Sequence, residues 1–218
     1  MSTVTLEVSQ SIATITFNRP HTLNAITHED YTAFSEALRA VDKRDDVVVT
    51  IWQATGRWFC AGTDVTLTFL GHFDFIYCMP NAWLCVPFTF LGIIAEACSS
   101  VNFVERMGVS KAKEALIFGK KIDANALLSC GFVNEIFAEQ SVESFHANVR
   151  SRLQSELEGL DTDAVLIVKS LLKTAATERN SLDGAILRES MAQAARFATG
   201  VPLERFKRIA NKEIKHKL

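Results

Sequence analysis

A chain of 218 residues, 48% hydrophobic and 22% charged, is long enough to bury a full core as one domain, or one domain with a helical appendage. Its formal net charge of −2 and pI near 6.2 argue against nucleic acid as a main partner. The five cysteines, at 60, 78, 85, 98 and 130, are odd in number and lack CxxC spacing; reduced thiols in an intracellular compartment fit better than disulfides or a metal site.

The opening MSTVTLEVSQ reads as neither a secretory signal nor an Arg-rich transit peptide. Val4 to Val8 and Ile12 to Phe17 alternate as two strands around the turn Ser9-Gln10-Ser11. Arg19-Pro20 ends the second, because proline cannot continue a sheet ladder. Thr27, with Asp30 three residues later, predicts a helix start, and Tyr31, Phe34, Leu38 and Val41 give its apolar stripe as far as Arg44-Asp45-Asp46. The β-branched run Val47 to Ile51 then fits a buried strand. Strand, helix and strand make a crossover unit, which implies a parallel pair.

This last strand breaks at Gly56 and closes on Cys60-Ala61-Gly62-Thr63-Asp64. A small-residue turn at a strand end can face backbone N–H groups to a ligand. Gly62 lets the backbone approach closely, and Asp64 can cap a following helix.

Phe75 to Ala95 carries no charge and is long enough to span a bilayer. Pro80, Asn81, Pro87 and Gly92 interrupt it, so FIYC and WLCVPF read as strands and no membrane span is expected. Ser110 is expected to open a short helix through Ala112, Ala115 and Leu116, followed by a turn at Gly119-Lys120-Lys121. Asp123 should cap a helix from Ala124 to Ser129, ended by Gly131. From Val142 the pattern is charged and helical, with breaks at Gly159-Leu160-Asp161, Asn180-Ser181 and Gly200-Val201-Pro202, giving four amphipathic helices.

Phe17-Asn18-Arg19-Pro20, then Asn24-Ala25-Ile26, a helix, and a strand ending in FCAGTD resemble the enoyl-CoA hydratase/isomerase (crotonase) superfamily, and within it the peroxisomal Δ3,Δ2-enoyl-CoA isomerases. The likeness runs from about Val4 to Asp64 and, with weaker motifs, from about Phe73 to Phe137. It implies an α/β fold, a crotonase-like (ClpP/crotonase) spiral of strand-turn-helix units over 1–140, with a C-terminal helical region over 141–218. It also implies that the Thr63 N–H, next after the glycine, is one oxyanion donor for the thioester oxygen of an acyl-CoA. Cys60, Ala61, Gly62 and Asp64 would form the substrate turn with it, and His21, Thr22 and Leu23 would touch the pantetheine and nucleotide of the CoA. A solvated loop histidine is the competing reading of His21. Coenzyme A is part of the substrate, so neither a separate cofactor nor a metal is implied.

In the family a helix, a strand entering a glycine-containing loop and a buried helix follow the FxAGxD turn, and that loop gives the second oxyanion N–H. Here seven residues, Val65 to Gly71, separate Asp64 from His72. A strand alone takes about five residues, so the middle of the pattern is missing near 65–72.

Allylic isomerisation needs a base that removes a proton beside the thioester carbonyl and returns it two carbons away, plus donors for the enolate. Glu96, in LGIIAEACSS, is an acid in an apolar stretch, where burial would raise its pKa. By position it matches the catalytic glutamate of the resembled isomerases. A glutamate capping a turn or paired to Arg106 is the alternative. Enoyl-CoA hydratases use two carboxylates, one in the missing segment and one where Phe88 stands, so isomerase is favoured over hydratase. No GxSxG, HExxH or phosphate loop offers other chemistry.

The end His216-Lys217-Leu218 resembles a C-terminal peroxisomal targeting tripeptide, which implies an import receptor as partner and a peroxisomal location. Read as an ordinary basic helix end, it leaves the cytoplasm. The resemblance further implies homotrimers or hexamers built through C-terminal helices whose stripes include Leu187, Met191, Ala195 and Phe206; packing on the chain's own core is the competing reading. An active acyl-CoA isomerase and an inactive relative kept as a subunit or binding protein are the two functional expectations.

Overall fold

In the computed structural model, which describes residues 3–60 and 66–216, the chain begins with the hairpin of β1 (Val4–Ser9) and β2 (Ile12–Phe17). The pair is antiparallel, with Val4 opposite Phe17 and Ser9 opposite Ile12. Its turn holds both Gln10 and Ser11 at positive φ, the backbone of a tight primed hairpin turn, without the glycine such turns usually carry. β3 (Val49–Ala54) lies parallel to β2, Ile12 opposite Val49, giving the sheet order β1-β2-β3. The parallel crossover is as expected; β3 itself sits two residues later than the β-branched run suggested.

The crossover helix α1 (His28–Asp42) starts where the sequence places it. The Thr27 hydroxyl accepts from the Asp30 N–H, and the Asp30 carboxylate accepts from the Thr27 N–H, a complete capping box. Phe34 is buried, but so is Ala37, and Leu38 is 39% exposed. The expected stripe is therefore rotated toward the small residue, which fits closer to the sheet. Phe17, Phe34, Trp52 and Phe59 stack in a chain of ring contacts with centroids 4.7–5.4 Å apart.

After β3 the described chain resumes with a 3-10 stretch, Thr66–His72. Then come β4 (Tyr77–Cys78), β5 (Trp83–Leu84) and α2 (Phe88–Leu91). The strands expected in FIYC and WLCVPF are thus two residues each, and neither pairs with the other. β4 runs parallel to β7 (Glu135–Ile136), and β5 antiparallel to β6 (Ile122–Asp123). The helix expected to open at Ser110 is the second of two helical segments, together α3 (Ser99–Phe118), that meet at Gly108, whose φ of 74° is not helical; the first segment was not expected. That glycine separates two helical segments that a sequence pattern reads as unrelated.

Asp123 caps α4 (Ala124–Ser129) through the Ala126 N–H at 2.9 Å, as expected. The four C-terminal helices are α5 (Val142–Leu157), α6 (Thr162–Arg179), α7 (Leu182–Ala198) and α8 (Val201–Ala210). Among the described residues no helix is long and apolar enough to cross a membrane.

The chain divides into two compact units that interleave in sequence: Met1–Thr66 with Gln140–Lys173, and Leu67–Glu139 with Thr174–Leu218. In the first, Arg150 of α5 donates to the Ser9 carbonyl at 2.7 Å, and Val149 and Leu153 are buried. The second has its own core, in which Phe103 and Phe132 meet edge to face at 5.2 Å among Leu84, Val86, Phe88, Ile93 and Met107. Phe206 of α8 packs against that core, whereas Leu187 and Met191 of α7 are 61% and 66% exposed. The stripe assigned to assembly is therefore split between inward and outward faces.

The turn after β3 depends on Gly56. It adopts φ of +76°, and a Cβ there would lie 2.8 Å from the Pro20 Cβ. Gly56→Ala is expected to destabilise the protein by about 2–3 kcal/mol, combining left-handed backbone strain with a backbone-close clash. Urea denaturation followed by circular dichroism reads this, and an unchanged midpoint would contradict it.

Candidate functional site

Two local arrangements carry the predicted site residues, one in each unit. In the first, Asn24 is 1% exposed and ties the loop after β2 to the turn after β3. Its Oδ1 accepts from the Arg19 N–H at 2.8 Å, and its Nδ2 donates to the carbonyls of Thr55 (2.8 Å) and Trp58 (2.6 Å). Arg19 donates to the Ala25 carbonyl at 3.0 Å and pairs with Asp30 at 2.7 Å. The pieces of the N-terminal motif are thus locked together by buried polar groups. His21, Thr22 and Leu23 stand on the exposed side of this loop, with Leu23 in the left-handed region at φ 54°.

Cys60, at the start of the FCAGTD turn, is 5% exposed. Ala61, Gly62, Thr63 and Asp64 lie outside the described residues.

Asp30 is the charged centre of this arrangement, only 3% exposed. Burial alone would push its carboxyl up. Hydrogen bonds from the Thr3 hydroxyl, the Thr27 backbone, the Arg19 guanidinium and the Thr27 hydroxyl outweigh that and hold its pKa at about 2.

In the second unit Glu96 sits in the extended segment between α2 and α3, half-buried. The next two residues, Ala97 and Cys98, are both left-handed, at φ 56° and 58°. Two consecutive non-glycine residues in that region store strain, which tends to collect at functional turns. The strain is held by contacts from α7. Gln193 accepts from the Ile94 N–H at 3.1 Å and donates to Glu96 Oε2 at 3.3 Å. Glu189, 7% exposed, accepts from the N–H groups of Cys98 (2.8 Å) and Ser100 (3.1 Å) and from the Ser100 hydroxyl. It thereby caps α3 from another helix, satisfying donors that Cys98 at the N-cap leaves open and placing a carboxylate at the positive helix end.

A cleft of about 360 Å³ opens between this loop and α7, with Glu96, Glu189 and Gln193 on its polar side and Ile186, Ala194 and Phe197 on its apolar side. A cleft of this size lies within the range of small-molecule sites. Arg106, the alternative partner considered for Glu96, donates instead to the carbonyls of Phe73, Asp74 and Phe132. Position 88 is a core phenylalanine, 2% exposed.

Glu189 and Gln193 escaped the sequence reading. The available signal was weak: Ala185 and Glu189, one turn apart, are both buried, so a charge occupies an inward position of a helix. Of the C-terminal tripeptide, His216 packs edge-on against Phe90 at 4.9 Å, and Lys217 and Leu218 lie outside the described residues.

Two family models, both described as enoyl-CoA hydratase/isomerase, match the chain over residues 12–71 and 67–199. The chain is 30% identical to a Delta(3,5)-Delta(2,4)-dienoyl-CoA isomerase of Pyricularia oryzae, over 98% of each chain. That alignment has 280 positions, so a chain of 218 leaves at least 62 of them without a counterpart here. Enoyl-CoA delta isomerase 2 of Rattus norvegicus is 30% identical over 77% of this chain and 54% of its own. The peroxisomal Enoyl-CoA delta isomerase 3 of Mus musculus is 28% identical over 74% and 64%. The chain therefore spans 54% and 64% of the length of these two relatives. A crystal structure of an enoyl-CoA hydratase/isomerase from Pseudoalteromonas atlantica superposes with a TM-score of 0.88 at 22% identity, over 100% of both chains, which shows the crotonase fold. With the family models matched on both sides of residues 67–71 and a relative aligned along nearly its whole length, the chain belongs to the enoyl-CoA hydratase/isomerase family.

Proposed function

We propose that this protein binds an acyl-CoA thioester and shifts its carbon–carbon double bond from position 3 to position 2, with Glu96 moving the proton. The observation that carries this reading is the carboxylate of Glu96, held by Gln193 at the mouth of a half-apolar cleft, on a strained turn. Glu96 takes a proton from the carbon beside the thioester carbonyl. The charge passes to the thioester oxygen as an enolate, and the same carboxyl returns the proton two carbons along. The Thr63 N–H is the expected oxyanion donor, with Cys60 to Asp64 as the substrate turn and His21, Thr22 and Leu23 as contacts to the CoA. No further cofactor enters this chemistry.

The Pyricularia relative's name favours a second reading, conversion of a 3,5-diene to a 2,4-diene. That shift carries the proton four carbons rather than two, which suits a second acid. The other carboxylate at the cleft, Glu189, is committed to three hydrogen bonds with α3. The single-carboxylate reaction is therefore preferred. An inactive family member that binds acyl-CoA is the remaining alternative, and hydratase activity is disfavoured with a phenylalanine at 88.

Purified protein assayed with a 3-enoyl-CoA and a 3,5-dienoyl-CoA tests this. Weak turnover of the mono-ene is expected, because the interval after Asp64 is short, and Glu96→Gln should lower it by about 10²–10⁴-fold or to the uncatalysed rate. Equal turnover in the variant removes the assignment.

Assembly as a homotrimer or hexamer is proposed through the outward residues Leu187 and Met191; a monomer mass by light scattering would exclude it. The His216-Lys217-Leu218 end is proposed as a peroxisomal import signal. A fluorescent fusion ending in this tripeptide, compared with one lacking it, decides between peroxisome and cytoplasm.

A further inference from the structure

We infer that α7 is a structural half of the active site, and that Gln193 is the positioning residue that sets the orientation of the Glu96 carboxylate. The inference rests on the assignment of Glu96 as the proton carrier, and adds which residue makes it competent.

Glu96 lies in a loop with no regular structure of its own, followed by two residues in a backbone region that side chains disfavour. Such a loop takes its geometry from outside contacts. On both sides of Glu96, one helix face supplies backbone-holding contacts. Glu189 and Gln193, one turn apart on α7, grip the N–H groups of Cys98 and Ser100 on one side and of Ile94 on the other. Arg196, three residues further, donates to the Gly92 carbonyl at 2.7 Å. Three side chains of α7 thus hold Gly92 to Ser100, and only Gln193 also touches the carboxylate itself.

The division of labour follows from the amide. The Gln193 carbonyl oxygen holds the backbone at Ile94, and the amide nitrogen donates to Glu96 Oε2. The planar amide cannot rotate freely without losing one of these bonds, so it ties the position of Oε2 to the backbone at Ile94. A donor to the ionised carboxylate also favours the charged form, the one needed to accept a proton. An orienting group of this kind contributes to turnover more than to binding, because a small misplacement of a base costs rate steeply.

Among the described residues the ionisable groups around this loop include His72, whose Nε2 lies 3.0 Å from the Ala97 carbonyl, Asp183, Arg188, Glu189 and Arg196 on α7, and Arg205 of α8 beside Gly92. None of them offers the paired amide contacts that Gln193 makes.

The test is the titration of the Glu96 carboxyl in the full-length protein by 13C NMR with labelled glutamate, its signal assigned by loss in Glu96→Gln. Gln193→Met keeps the side chain's length and removes the donor; the Glu96 midpoint should rise by about 0.5–1 pH unit. Gln193→Lys puts a positive charge at the same place and should lower it by a similar amount. Exchange of the Ile94 amide should speed up at least about tenfold in the methionine variant, as its acceptor is lost. If the wild type turns over a 3-enoyl-CoA, the methionine variant should lose about tenfold in kcat with KM within about twofold. Midpoints that stay put, or move the same way in both variants, overturn the positioning role. Opposite shifts in a wild type without turnover would support the positioning role while removing the assigned reaction, so the two conclusions fail separately.

Discussion

Inserting a segment of the relatives' length between Asp64 and Phe73 is expected to raise isomerase turnover by about 10²–10³-fold over that of the 218-residue chain. The alignment with the Pyricularia relative leaves at least 62 of its 280 positions unmatched, and the two family models meet within residues 67–71. What stands between β3 and β4 among the described residues is one 3-10 stretch, Thr66–His72. In the resembled pattern this interval carries the loop that gives the second oxyanion N–H. Two donors sharing the enolate charge do more than one, and loss of a single such donor costs about 2.7–4 kcal/mol of transition-state stabilisation in a hydrolase. The same segment would wall the acyl chain from water, which strengthens every remaining electrostatic contact. The 218-residue protein should therefore be a weak isomerase. A chimera carrying the relative's segment should be fast, with Glu96→Gln abolishing the gain. Turnover of the shorter chain within tenfold of the chimera would show that the interval does not hold the missing donor. The chimera should also unfold at higher urea, since the added elements bring apolar surface to bury.

Replacing Asp30 by alanine is expected to destabilise the protein by about 3–5 kcal/mol, the range for removing one partner of a buried ion pair. The carboxylate joins three pieces of chain: Thr3 at the start of β1, Arg19 in the loop that presents His21 to Leu23, and Thr27 at the cap of α1. Without it Arg19 keeps, among the described residues, the Ala25 carbonyl as its side-chain acceptor, and α1 loses its capping box. The pH dependence has a definite sign. The folded pKa, about 2, lies below the ordinary 3.8, so the carboxylate contributes its full stabilisation above about pH 4 and loses it as the pH falls toward 2. A depression of nearly two units corresponds to about 2.5 kcal/mol. Asp30→Asn, which keeps the shape without the charge, should flatten that part of the stability curve. Urea midpoints at pH 7, 4 and 3 measure both effects. A variant whose midpoint falls with pH as steeply as the wild type would show that another group carries the acid sensitivity. If His21 to Leu23 contact the CoA as proposed, CoA affinity should drop in the same variants before the fold is lost, because this carboxylate also anchors their loop.

How the site is built divides cleanly between what is local in sequence and what is not. The hairpin, the Thr27–Asp30 cap, the parallel crossover, the Asp123 cap and the breaks between the four last helices were all legible. Each depends on residues a few positions apart, where period, capping chemistry and glycine conformation leave a pattern that can be read along the chain. Glu96 stands out in the sequence too, as an acid in an apolar run; its part in the reaction is the proposal made above. Three features were not legible. The strands β4 to β7 are two residues long and find partners up to 58 positions away, as Tyr77 with Glu135, too short to leave an alternation. The first segment of α3 was missed because Gly108 is not helical, so the pattern of the second segment does not extend back across it. The clamp of Glu189 and Gln193 on the Glu96 loop joins residues 89 to 99 apart, and no local spacing encodes which face of a late helix meets an early loop. Residue types near Glu96 mark an acid in an apolar stretch; its contact with the Gln193 amide of α7 is decided by the tertiary structure, because only packing brings residues 97 positions apart within reach.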